Sequence, residues 1–123
     1  MAGIIFFETQ KLEEIVEFYT STLGMKIWLE QKSCTILSHG NLLLGFCLRN
    51  NAEIEGMITL FYKTQRIVDQ MYERVKHLAN TEPRKNEVYN IYQFFAKDPE
   101  GRDLEFQAFL HKLTPLDIED FLK

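Results

Sequence analysis

The chain lacks the features that would commit it to a membrane, a nucleic acid or a metal. No apolar run approaches the ~20 residues of a membrane-spanning helix, so no membrane partner is expected. No basic run occurs, and 14 Lys and Arg against 18 Asp and Glu leave a net charge of -4, so no nucleic-acid partner is expected. The three histidines, His39, His77 and His111, stand in no i, i+4 or other ligand spacing, and no metal or other cofactor is expected from them. Met1-Ala2-Gly3 leads straight into Ile4-Ile5-Phe6-Phe7 without a basic n-region, so a cytoplasmic location is expected.

Cysteine is equally scarce. Cys34 and Cys47 form no Cys-x-x-Cys and show no metal spacing. In a reducing cytosol two buried thiols are the first expectation. If Gly40-Asn41 is a two-residue hairpin loop, however, residues whose numbers sum to 81 face each other. Cys34 and Cys47 are then direct cross-strand neighbours, and a disulfide is open to them.

What the chain does have is aromatic bulk. It carries ten Phe, five Tyr and one Trp in 123 residues, 46% of them hydrophobic. That suits one globular domain with a real core, whose aromatic residues fill that core or line a pocket. The most informative stretch is Asp98-Pro99-Glu100-Gly101-Arg102-Asp103-Leu104-Glu105-Phe106. Pro and Gly set a turn, and the strand that follows carries a carboxylate, Glu105, among apolar neighbours. Such a charge costs free energy unless a partner, a metal or water offsets it.

The order of elements repeats. Gly3 to Thr9 is a β-rich run. Lys11 to Leu23 places Leu12, Ile15, Val16, Tyr19 and Leu23 at helical spacing, with Gly24 ending the helix. Met25 to Gln31, Ser33 to His39 and Leu42 to Leu48 read as strands. After a polar linker at 50–56, Met57 to Thr64 is a strand and Arg66 to Ala79 a helix. Asn80 to Asn86 holds a loop with room for a short edge strand. Val88 to Ala96 and Leu104 to Leu110 are strands. Thr114-Pro115-Leu116-Asp117 starts a last helix, with Thr as N-cap and Pro at N1. Its acidic stretch, Asp117 to Asp120, reads as a solvated face. A shift of 55 residues sets Thr9-Gln10-Lys11-Leu12 on Thr64-Gln65-Arg66-Ile67 and Leu23 on Leu78.

Leu12-Glu13, Phe18-Tyr19, Leu23-Gly24-Met25, Tyr72-Glu73-Arg74-Val75 and Asp98-Pro99-Glu100-Gly101…Leu104-Glu105-Phe106, in that order, resemble the vicinal oxygen chelate superfamily. This is the glyoxalase, bleomycin-resistance and extradiol-dioxygenase group. The resemblance covers about residues 3 to 111. It implies an α+β fold of two βαβββ modules forming a U-shaped mixed sheet around a cleft, with a short C-terminal helix added. The modules would be about 3–49 and 57–111, the linker 50–56 and the helix 114–123, within one domain. The resemblance also implies a homodimer.

Metal-dependent members of that family place four ligands on the first and last strands of each module. By position these fall at Ile4, Leu44, Thr59 and Glu105. The internal shift pairs Ile4 with Thr59, and aligning Gly40 with Gly101 pairs Leu44 with Glu105. Glu105 is the one good ligand of the four, whereas a divalent site usually needs about three. The resemblance therefore implies a metal-free protein that binds a small, partly hydrophobic or aromatic molecule.

Strand alternation then sends Phe6 and Glu8 into the cleft with Ile4, and Met57, Phe61 and Lys63 with Thr59. It sends Leu42, Phe46 and Leu48 with Leu44, and Asp103, Gln107 and Phe109 with Glu105. Ile5, Phe7, Leu43, Leu60, Tyr62, Leu104 and Phe106 would form the core. The expected ligand-binding residues are Phe6, Trp28, Phe46, Phe61, Lys63, Glu105 and Gln107. Glu105 is expected to anchor a polar group or to pair with Lys63 or Arg102. In the alternative reading of an enzyme, a glyoxalase-like lyase or isomerase or a dioxygenase, Glu105 is the general base. A third reading is a structural or regulatory module with a filled cleft.

Overall fold

A computed structural model describes residues 2–115. It contains eight strands and two helices, hydrogen-bonded into two four-stranded mixed sheets, one per module. In the first module β1 (Ile5–Thr9) is followed by α1 (Leu12–Glu17), then β2 (Lys26–Glu30), β3 (Cys34–His39) and β4 (Leu42–Leu48). The second repeats this order with β5 (Met57–Tyr62), α2 (Gln65–Val75), β6 (Arg84–Asn86), β7 (Ile91–Lys97) and β8 (Asp103–Phe109). The sheet orders are β1-β4-β3-β2 and β5-β8-β7-β6, with β1/β4 and β5/β8 parallel and the other pairs antiparallel. This is the α+β, two-module arrangement expected above. The C-terminal helix expected over 114–123 falls from Leu116 onward outside the described residues, and Thr114 and Pro115 are irregular.

Local sequence explains the boundaries. Thr64 caps α2 by accepting a hydrogen bond from the Ile67 amide at 3.3 Å. Past Glu17 the first helix widens into a π-helical turn over Phe18–Thr22, and Gly24 follows it at φ +86°. The expected strand from Val88 begins only at Ile91, because Glu87 to Asn90 make the β6–β7 turn. The Asp98–Gly101 turn forms as the sequence proposes. Asp98 Oδ1 accepts from the Glu100 and Arg102 amides, and Gly101 sits at φ +99°.

Both helices pack on one face of their sheets and share one continuous core. Ile15 and Tyr19 of the first helical segment meet Leu37, Leu44 and Phe46, while Val68, Met71 and Val75 of α2 meet Phe94, Leu104 and Phe106. Phe94 and Phe106 stack with centroids 4.7 Å apart.

The modules are also joined by a buried polar cluster at the β7–β8 turn. Arg102, 1% exposed, donates to Asp98 at 3.2 Å, to Glu100 at 2.8 Å and to the Glu8 carbonyl at 2.7 Å. Its guanidinium lies over the rings of Phe7 and Phe46. Tyr19 donates its hydroxyl to Asp98 at 2.8 Å, and Thr9 donates to Glu100. The turn that drew attention in the sequence thus ties the second module to β1 and the first helix.

Two facings differ from the sequence expectation. Leu44 and Phe46 point to the helices, and Leu43 points away from them. Ile5, on the first edge strand, is exposed rather than core. The cause of the first is register. By the 55-residue shift Ile5 corresponds to Leu60, yet Ile5 pairs with Leu44 and Leu60 with Phe106, so Leu44 corresponds to Phe106 and not to Glu105. Aligning the two turn glycines therefore misplaces β4 by one residue, and a slip of one turns every side chain to the other face.

Candidate functional site

On the sheet face away from the helices, each strand of the second module contributes one polar side chain to a connected row. Thr59 on β5 donates to Glu105 Oε1 at 2.8 Å, and Gln93 on β7 donates Nε2 to Glu105 Oε2 at 2.5 Å. Asn86 on β6 in turn donates to Gln93 Oε1 at 2.9 Å, which fixes the orientation of the Gln93 amide. The pairings Thr59↔Glu105 and Gln93↔Gln107 hold these groups on one face. Glu105 is thus bound by two neutral donors. Arg102 is committed to the junction cluster, and Lys63 lies exposed beyond the end of β5, so the expected ion pair of Glu105 with either residue does not form. Gln107 is only 8% exposed, and its side-chain amide has no hydrogen-bond partner among the described residues.

The aromatic residues distribute differently. Phe61 meets the Phe109 ring edge-on at 5.5 Å on the Glu105 face. Phe6 lies on the corresponding face of the first module, where its ring covers the backbone of Gly45 so closely that a Cβ there would overlap it. Trp28 sits at the register shift in β2, 56% exposed. Phe46, expected in the cleft, is instead wholly buried against Tyr19, with centroids 4.9 Å apart. Sequence reasoning passed over Gln93 and Asn86. The one signal for Gln93 is an amide at an inward-alternating position within Ile91-Tyr92-Gln93-Phe94-Phe95.

A cavity of about 510 Å³ opens beside Trp28, lined also by Ile4, Ser38, Gly40 and Leu43. A smaller one of about 220 Å³ lies between the β3–β4 turn and β5, lined by Gly40, Asn41, Thr59 and Phe61. The shared Gly40 turn stands between the two. Most of the larger lining is aliphatic or aromatic, the usual surface for a small organic molecule.

The corrected register replaces Leu44 by Leu43 in the four-position set. Ile5 pairs with Leu44 and Phe6 with Gly45, so one step back Leu43 stands opposite Ile4. The set is then Ile4, Leu43, Thr59 and Glu105, with both oxygens of its sole carboxylate already hydrogen-bonded. These donors do not fit a divalent ion. Among the described residues no three His, Cys, Asp or Glu side chains come together to hold one. His39 meets the Tyr62 ring at 6.1 Å, His111 meets Phe109 at 5.5 Å, and His77 is exposed at the end of the second helical segment.

Cys34 and Cys47 are paired across β3 and β4, as the hairpin count requires, and they are joined by a disulfide. The expectation of two separate thiols is corrected. The two-residue turn fixes a register in which the two Cβ atoms project together on one face.

This architecture is the fold of the glyoxalase/bleomycin resistance/dioxygenase proteins, the vicinal oxygen chelate arrangement. One similar solved structure is a glyoxalase/bleomycin resistance protein/dioxygenase from Nocardioides. It is 19% identical, with 95% of this chain and 88% of that one covered at a TM-score of 0.71. A glyoxalase/bleomycin resistance protein/dioxygenase family enzyme from Burkholderia phytofirmans PsJN is 16% identical, with 87% and 97% covered at a TM-score of 0.77. A lactoylglutathione lyase from Agrobacterium tumefaciens is 15% identical, with 88% and 92% covered at a TM-score of 0.72. No family model matches the chain, and no curated protein matches it. Among the described residues, no helix is long and apolar enough to cross a membrane.

Proposed function

We propose that this protein binds a small, partly hydrophobic or aromatic molecule in the cleft of its sheets, without a metal ion. The observation that carries this reading is the pairing of a largely apolar cavity of about 510 Å³ at Ile4, Trp28 and Leu43 with an unsuited ligand set. Three of the four positions that bind metal in the metal-dependent proteins of this fold hold Ile4, Leu43 and Thr59. The apolar body of the ligand packs against Trp28 and Leu43. Its polar end meets Glu105 and the amide of Gln107, with Phe6 and Phe61 as aromatic walls. Lys63 contributes at the rim, and Phe46 acts only from beneath, through the core. Sequestration of this kind needs no catalytic step, and a homodimer in the cytoplasm is its expected form.

The test is a thermal-shift screen of small aromatic molecules with and without a chelator, followed by calorimetry on each hit. Ligand at 100 times its dissociation constant should add about 2.7 kcal/mol of stability, and chelation should leave the shift unchanged. Glu105→Gln should weaken binding modestly, because the new amide can accept from Gln93 and donate to the Thr59 hydroxyl, which turns from donor to acceptor. A stoichiometric divalent metal whose removal abolishes binding would overturn the reading. So would turnover of a substrate that falls by ~10²-fold or more in Glu105→Gln, as expected for a general base.

A further inference from the structure

The disulfide lies where a structural staple is least needed. It joins the first residue of β3 to the sixth of β4, on the face opposite the core formed by Leu37, Leu44 and Phe46. The ladder already holds the two strands in register from Cys34↔Cys47 to His39↔Leu42, so the bond adds no element to the fold. The Cys34 carbonyl accepts from the Gln31 amide and the Ser33 carbonyl from the Leu48 amide. Cys34 and Cys47 are therefore a non-hydrogen-bonded pair, in which side chains approach most closely and a bond can open and close without backbone exchange.

The bond is also reachable. It forms part of the wall of a third open pocket, of about 420 Å³, which Phe6, Gln31, Arg49 and Glu53 also line. Cys34 is partly exposed, and Cys47 is 9% exposed. Arg49 bonds through Nη1 to the Ser33 hydroxyl at 3.3 Å and the Leu48 carbonyl at 2.8 Å, the residues next to each cysteine. Two acids also line the pocket: Glu8, which pairs with Cys47 across β1 and β4, and Glu53, which accepts from the Glu8 amide at 2.8 Å. Arg49 lines the same pocket as both cysteines, where its positive charge counters the acidic side chains.

We propose that Cys34 and Cys47 form a thiol–disulfide exchange site that takes small peptide-sized thiols. The incoming thiolate attacks Sγ of Cys34, the more exposed of the two cysteines. A mixed disulfide forms there, and Cys47 leaves as a thiolate beside Arg49. A second thiolate attacks the external sulfur of the mixed disulfide, so that Cys34 leaves as a thiolate and a small-molecule disulfide departs. The protein disulfide gains two electrons, two external thiols lose them, and both protein thiolates take protons from solvent. The reverse sequence closes the bond.

The test uses the full chain and glutathione. Folded, oxidised protein is exposed to reduced glutathione, quenched with an alkylating reagent, and followed by intact mass and peptide mapping. The expected result is one glutathione on Cys34 as an intermediate, then two free thiols, with the bond restored by oxidised glutathione. Cys47→Ser should take up glutathione from its oxidised form about tenfold faster at Cys34 than Cys34→Ser does at Cys47, and Arg49→Gln should slow both. If either serine variant fails to fold, the wild-type mapping decides alone. The proposal is overturned if the bond opens only in urea that unfolds the chain, or if the intermediate carries glutathione on Cys47. Persistence of the bond in reduced glutathione under folding conditions would equally overturn it.

Discussion

Replacing Arg102 by methionine removes the guanidinium that holds two buried carboxylates at the junction of the modules. The side chains of Asp98 and Glu100 are 0% and 4% exposed, and that of Arg102 is 2% exposed. Methionine preserves much of the packing against Phe7 and Phe46 but offers no donor to either carboxylate or to the Glu8 carbonyl. Breaking a buried pair in this way costs about 3–5 kcal/mol, because an uncompensated charge stays behind. That is a large share of the ~5–15 kcal/mol that stabilises a typical domain. The assay is urea unfolding followed by circular dichroism at neutral pH. An internal control is Lys97→Ala, which breaks the 2.6 Å pair with Asp103 whose side chains are about half exposed. A pair in that setting is worth about 0–1 kcal/mol. If Arg102→Met cost no more than Lys97→Ala, the assignment of the turn cluster as the lock between modules would be refuted.

Glu100 gives the same cluster a pH dependence. Burial alone would raise its carboxyl, but hydrogen bonds from Thr9, Arg102 and the Gln10 amide outweigh this and hold it below the ordinary 4.5. Its stabilisation should be complete above that value and lost as pH falls through the lower folded one. An acid titration of Glu100→Gln lacking this step, against a wild type that shows it, is the expected outcome. Burial likewise pushes the Tyr62 phenol up to about 12, and its hydroxyl has no hydrogen-bond partner among the described residues. Tyr62→Phe should therefore be neutral or stabilising at pH 7. It should also remove a loss of stability that begins above the unfolded phenol value of about 10, which alkaline denaturation of both proteins would read. Gly45→Ala should displace the Phe6 ring, at a cost of about 1–3 kcal/mol. Unchanged ring resonances in an NMR spectrum would count against that contact.

Much of the fold was legible because periodicity and punctuation agreed. Helical spacing from Leu12 to Leu23, the Thr64 cap, the Gly40-Asn41 turn and the 55-residue shift each marked an element that the structure contains. The pairing of Cys34 with Cys47 followed from turn length alone. The site was less legible. Gly40 and Gly101 look equivalent in sequence, yet β4 lies one residue further along β1 than β8 does along β5, so the faces of Leu43, Leu44 and Phe46 were inverted. Gln93 and Asn86 went unseen because their role depends on which strands lie beside β8.

The sequence by itself determined the two-module order, the turn that carries Asp98 to Gly101, and the poverty of metal ligands beside Glu105. These depend on residue identity and on spacings of a few positions along the chain. Only the tertiary structure decided what Glu105 and Arg102 touch. A strand pattern names the face of a side chain, but its partner comes from a strand dozens of residues away. Arg102, a candidate partner for Glu105 by proximity in sequence, turns instead to Asp98, Glu100 and β1. Glu105 is left to the neutral donors Thr59 and Gln93.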